Sequence, residues 1–142
     1  MPNEGKAGFV LAGYHFNRDD ITASLELAPR RVDRAGASRD FDKPALSIWE
    51  LAVETSAGNV NIFQMTNELV EQLESREEQI LALIERLNLV PKLRIALVLS
   101  ADKAAPAPQI GLDTRVLRFL AKVGAFVDVE TTVACPEEGG GV

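Results

Sequence analysis

The chain has 142 residues, 46% of them apolar, and carries 15 Lys and Arg against 21 Asp and Glu for a net charge of −6. That length suits one layered domain with its own core, and the negative sign opposes general binding to nucleic acid or to an anionic membrane surface. The single cysteine, Cys135, excludes an internal disulfide; no apolar run nears the roughly 20 residues that cross a bilayer, and the opening residues lack the apolar segment of a secretory signal. A cytoplasmic protein is the expectation.

In chain order, Met1 to Ala7 reads as a loose end, and Phe9 to Ala12 as a short strand buried on both faces between Gly8 and Gly13. Asn17 then suits a helix N-cap, with Asp19 and Asp20 placed well for the helix dipole. Ile21 and Leu25 share one helical face, and Pro29 stops the segment. From Arg30 to Pro44 periodicity disappears. Arg30, Arg31, Arg34, Arg39 and Lys43 stand there against Asp33, Asp40 and Asp42, and the stretch reads as a surface loop whose charge is opposite in sign to the whole chain.

Ser47 to Thr55 is the clearest strand. Trp49, Leu51 and Val53 alternate with Glu50, Ala52 and Glu54, so the first set makes a core face. Two helices follow between Asn61 and Leu89, with Asn61 and Gln64 resembling a capping box and Ser75 with Glu78 a second cap that breaks the segment. Ile62, Met65, Leu69 and Leu73 line the first piece, and Ile80, Leu83, Ile84 and Leu87 the second. Leu93 to Leu99 alternates as a strand. A short strand is expected around Gln109 to Leu112, then a helix capped by Asp113 and closed by Gly124, then a strand over Ala125 to Val133.

These elements make an α+β domain over residues 8–133, with loose termini at 1–7 and 134–142. The expected architecture is a mixed sheet of four or five strands with helices packed on it, on a ferredoxin-like plan.

Gly13, Ile21-Thr22, Leu25, Leu27-Ala28-Pro29, the basic loop with Gly36, Trp49, the paired helices and the closing Phe119 to Ala125 form a further pattern. It resembles the bacterial domain-of-unknown-function family numbered four-two-seven-nine, over about Phe9 to Thr132. The resemblance implies a compact domain; that family has no settled activity and no defined catalytic residues to carry over.

His15 is the one side chain that titrates near neutrality unperturbed, so acid–base or nucleophilic chemistry would have to use it. Cys135 lacks the neighbours that activate a thiol. One His and one Cys cannot supply a four-ligand zinc set, and a carboxylate cluster of Asp19 and Asp20 with Asp128 or Glu130 competes with simpler roles for those acids. Neither a P-loop nor G-x-G-x-x-G occurs, so no cofactor is implied. The arginines at 30, 31, 34 and 39 can grip carboxylates or phosphates bidentately, which makes their loop the leading binding candidate, set against the plainer reading of a solvated loop whose three aspartates offset much of its charge.

The residues point away from an enzyme and toward a small binding or interaction protein, for instance an immunity-type protein neutralising a partner. The competing reading is a small-molecule enzyme or ligand-binding domain that uses His15 near the end of the first strand. Self-association through a sheet edge or the paired helices is the other interaction expected.

Overall fold

A computed structural model describes residues 3–14, 16, 18–27, 31–33, 46–55, 59–102 and 104–134. The elements run β1 (Glu4–Tyr14), α1 (Arg18–Leu25), β2 (Arg31–Asp33), β3 (Leu46–Thr55), α2 (Ile62–Leu73), α3 (Glu77–Leu87), β4 (Val90–Leu99), α4 (Thr114–Val123) and β5 (Phe126–Val133). They build one sheet in the order β2-β3-β1-β4-β5, antiparallel throughout except for the parallel pair β4 and β5. The first four strands reproduce the ferredoxin-like order expected of β-α-β-β-α-β. Through α4 the chain then adds a fifth strand beside β4.

Alternation along the strands sorts the two faces. Ala7, Phe9 and Leu11 of β1, Trp49 and Leu51 of β3, and Leu93, Ile95 and Leu97 of β4 are buried in one cluster to which every described helix contributes. α1 supplies Ile21 and Leu25, α2 the row Ile62, Met65, Leu69 and Leu73, α3 Ile80 and Leu83, and α4 Val116, Phe119, Leu120 and Val123. The rings of Phe9 and Phe119 meet edge to face at 5.7 Å, a favoured aromatic geometry.

Helix ends follow local chemistry. Asn61 caps α2 by accepting from the Gln64 N–H at 3.2 Å, and Asp113 caps α4 by accepting from the Val116 N–H at 3.1 Å. Gly124, at φ 71°, closes α4 in the left-handed region that only glycine enters freely. The break between α2 and α3 is a 3-10 turn over Glu74–Arg76. Ser75 does not cap it: the residue at the start of α3 is Arg76, without a side-chain cap. Arg76 instead donates to the Leu25 carbonyl, filling an acceptor that the end of α1 leaves open.

Three further expectations are corrected. β1 begins at Glu4, ahead of the apolar run, because Asn3 anchors it: its side chain donates to the Pro106 carbonyl and accepts from the Ser100 N–H, each at 2.6 Å. Arg31–Asp33, read as loop, is a strand paired with β3; three residues around one apolar Val32 are too short to show a period. Gln109 to Leu112 is not a strand, since only Gln109 bridges to Asn61 before the chain turns toward α4.

Candidate functional site

The face of the sheet turned away from the core cluster carries charge. In register across it run Glu54, Lys6, Ala96 and Glu130; then Ala52, Gly8, Arg94 and Asp128; then Glu50, Val10, Lys92 and Phe126. Three ion pairs cross between strands: Lys6 with Glu50 at 2.9 Å, Arg94 with Glu130 at 2.8 Å and Lys92 with Asp128 at 3.8 Å. Arg94 holds the Glu130 carboxyl below its usual value, chiefly by donating a hydrogen bond to it and secondarily by its charge.

Glu50 is the unusual member, because it is only 1% exposed. Among the described residues Lys6 supplies its balancing charge, and neither carboxylate oxygen receives a well-aligned hydrogen bond. The carboxylate lies over Gly8, where a side chain would have to begin 2.3 Å from Oε2. A buried carboxylate depends on its partner far more than an exposed one does.

The outer edge of the sheet is the second feature. β5 pairs with β4 on one side, and no described strand pairs with the other. Ala134 N–H donates to Leu99 O at 2.8 Å, which sets the phase of the parallel ladder. Even-numbered residues of β5 therefore bond β4, and Val127, Val129, Thr131 and Val133 direct their N–H and C=O groups outward. Their side chains share the sheet face of the buried Leu93, Ile95 and Leu97, yet Val127, Val129 and Val133 are 40%, 49% and 63% exposed. The helices stop over β4 and leave β5 as an apolar ledge.

Shallower features adjoin the sheet. A depression of about 520 Å³ is lined by Glu4, Lys6, Glu54 and Val98 among others, and one of about 230 Å³ by Glu54, Asn61, Gln64 and Glu68 among others. Among the described residues no group of three or more His, Cys, Asp or Glu gathers to hold a metal.

A sequence model of the family described as a domain of unknown function, DUF4279, matches residues 3–134. The chain belongs to the DUF4279 family. No curated protein matches it, and no solved structure does. The matched span coincides with the sheet: it starts at Asn3, whose side chain anchors β1, and ends at Ala134, whose N–H closes the ladder between β4 and β5.

Within this DUF4279 domain the sequence candidates fall unevenly. His15, Arg30, Arg34, Arg39 and Cys135 lie outside the described residues. Arg31 is placed by its backbone in β2, at the register position opposite Glu50. The carboxylates suggested as metal ligands are not brought together: Asp128 and Glu130 face Lys92 and Arg94 on the sheet. Trp49 is wholly buried and donates from Nε1 to Thr22 Oγ1 at 3.1 Å, so it packs α1 against β3. Glu50, Gly8 and the β5 edge were not singled out from sequence. The available signal was the acid at mid-strand between Trp49 and Leu51, with Lys6 and Gly8 in an adjoining strand.

Proposed function

We propose that this chain is a non-enzymatic binding protein that takes up a segment of another polypeptide as an added strand along β5. The observation that carries the reading is the outward row of N–H and C=O groups at Val127, Val129, Thr131 and Val133, flanked by exposed valine side chains. Sheet edges that are not used are commonly blunted by proline, by charged side chains, lysine above all, or by a covering element. β5 contains no proline and no lysine, and its two charged side chains, Asp128 and Glu130, are engaged by Lys92 and Arg94 of β4. An added strand gains main-chain hydrogen bonds along the edge, and its alternate side chains cover the apolar ledge. Neutralisation of a partner protein, as an immunity protein does, is one form of this activity.

The test is an array of short peptides that alternate apolar and polar residues, probed with the purified chain and with Val129→Pro. Proline at an outward position removes a donor from the free edge and leaves the bonds to β4 in place. The expected result is a subset of peptides that bind the native chain and lose about tenfold or more affinity for Val129→Pro, while the circular-dichroism spectra of the two proteins agree. Equal binding by both proteins, or binding of no peptide at all, would overturn the reading.

A further inference from the structure

We infer that the strand accepted by β5 is basic, with Lys or Arg alternating with apolar side chains; this rests on the reading of β5 as a docking edge. On the sheet face turned away from the core cluster, β3 presents Glu50 and Glu54, the central strands β1 and β4 present Lys6, Lys92 and Arg94, and acids return at the outer strand β5. β4 presents Lys92 and Arg94, and β5 answers with Asp128 and Glu130. The next strand outward would meet those two acids first. Lys92 engages Asp128 through Oδ2 and Arg94 engages Glu130 through Oε2, so among the described residues Oδ1 and Oε1 have no partner. The acids are two residues apart, which is the spacing of same-face side chains on any strand laid beside them. On the other face such a strand meets Val127, Val129 and Val133, which calls for apolar residues at the intervening positions. The chain's net charge of −6 adds long-range attraction for a basic segment.

A second copy of β5 is a poorer occupant. Antiparallel pairing of two copies centred on Val129 sets Asp128 opposite Glu130 twice, and centring on Glu130 sets that residue opposite itself. Like charges directly opposite destabilise a sheet pair. A basic partner strand replaces those repulsions with attractions and keeps the apolar match.

The experiment compares three peptides of one length in which valine and threonine alternate with lysine, with serine or with glutamate, titrated against the native chain by fluorescence anisotropy at low and high salt. The expected order is lysine over serine over glutamate, with about tenfold between the first two at low salt and less at high salt. The double variant Asp128→Asn, Glu130→Gln is expected to bring the lysine-to-serine ratio close to one. If serine and lysine peptides bind equally and both lose affinity for Val129→Pro, the charge inference fails and strand addition stands. If no peptide binds, both fail. If sedimentation instead shows a dimer of the native chain that Val129→Pro abolishes, the occupant is a second copy and the inference is overturned.

Discussion

Lys6 Nζ stands 2.9 Å from Oε1 of Glu50, and the pair joins β1 to β3 on the sheet face turned away from the core cluster. Glu50 is almost wholly buried while the Lys6 side chain is about a quarter exposed, so the two partners are not equivalent. Lys6→Met removes the charge that balances the buried carboxylate among the described residues and is expected to lower stability by about 3 kcal/mol, the lower end of the range for breaking such pairs. The double replacement Lys6→Met, Glu50→Leu removes both charges and fills the space with apolar atoms, so it should recover most of that loss. Urea unfolding of the three proteins measures this. A cost below about 1 kcal/mol for Lys6→Met would place the pair with weak surface ion pairs.

Two glycines are needed for different reasons, and substitution separates them. At Gly8 the added methyl would sit 2.3 Å from Glu50 Oε2 and 2.9 Å from its carboxyl carbon. Gly8→Ala is expected to cost about 1–3 kcal/mol by overpacking, and most of that cost should vanish in a Glu50→Ala background. Gly124 has nothing within 4 Å of an added Cβ, but its φ is +71°. Gly124→Ala should cost about 1 kcal/mol through backbone conformation alone, with the same value whether or not Glu50 is present. A double-mutant cycle with no coupling between positions 8 and 50 would remove the steric account.

Those contrasts mark where sequence was readable. Period two along Ser47 to Thr55 separated Trp49 and Leu51 from Glu50, and the caps Asn61, Asp113 and Gly124 were legible because each acts on its own helix end. Strands alternating with helices were enough to expect a mixed sheet on a ferredoxin-like plan, but the β-α-β-β-α-β order itself is complete only once β2 is counted as a strand. What stayed hidden depends on neighbours distant in sequence. Alternation assigns Glu50 to a face and is silent on whether that face is wet, and the burial of Glu50 is set only after β1 lies beside β3. β5 has the same pattern as an inner strand, and its valines are exposed because its place in the sheet is at the edge. β2 is too short for any periodicity, and the placing of Arg31 opposite Glu50 is a matter of register.

Asp113 should show a pH signature. Its carboxylate accepts from Asn67 Nδ2 at 2.6 Å and from the Val116 N–H, and these bonds, the Asn67 one foremost, hold its pKa below the ordinary 3.8. A depressed carboxyl contributes stability that is complete above the unfolded value and is lost as pH falls through the folded one. The stability difference between the native chain and Asp113→Ala is therefore expected to be constant near neutrality and to shrink in acid. Asn67→Ala should move the Asp113 titration upward. Carboxyl-resolved NMR titration checks both, and a midpoint at or above 3.8 in the native chain would contradict the hydrogen bonds.

Trp49 is the largest fully buried side chain, and its indole reaches across the layer boundary to Thr22 Oγ1 at 3.1 Å. Trp49→Ala removes that bulk from between β3 and the helices and is expected to cost about 3–5 kcal/mol. Thr22→Val keeps the volume and strands one indole donor, at about 1–3 kcal/mol, so the ordering of the two variants separates packing from hydrogen bonding. As the sole tryptophan, Trp49 also reports its own environment: emission should be blue-shifted in the folded chain and move to the red on unfolding. Thermal melts followed by circular dichroism decide the matter. An unchanged midpoint in Trp49→Ala would mean that this face of β3 does not carry the core, and would turn the indole into a candidate binding surface.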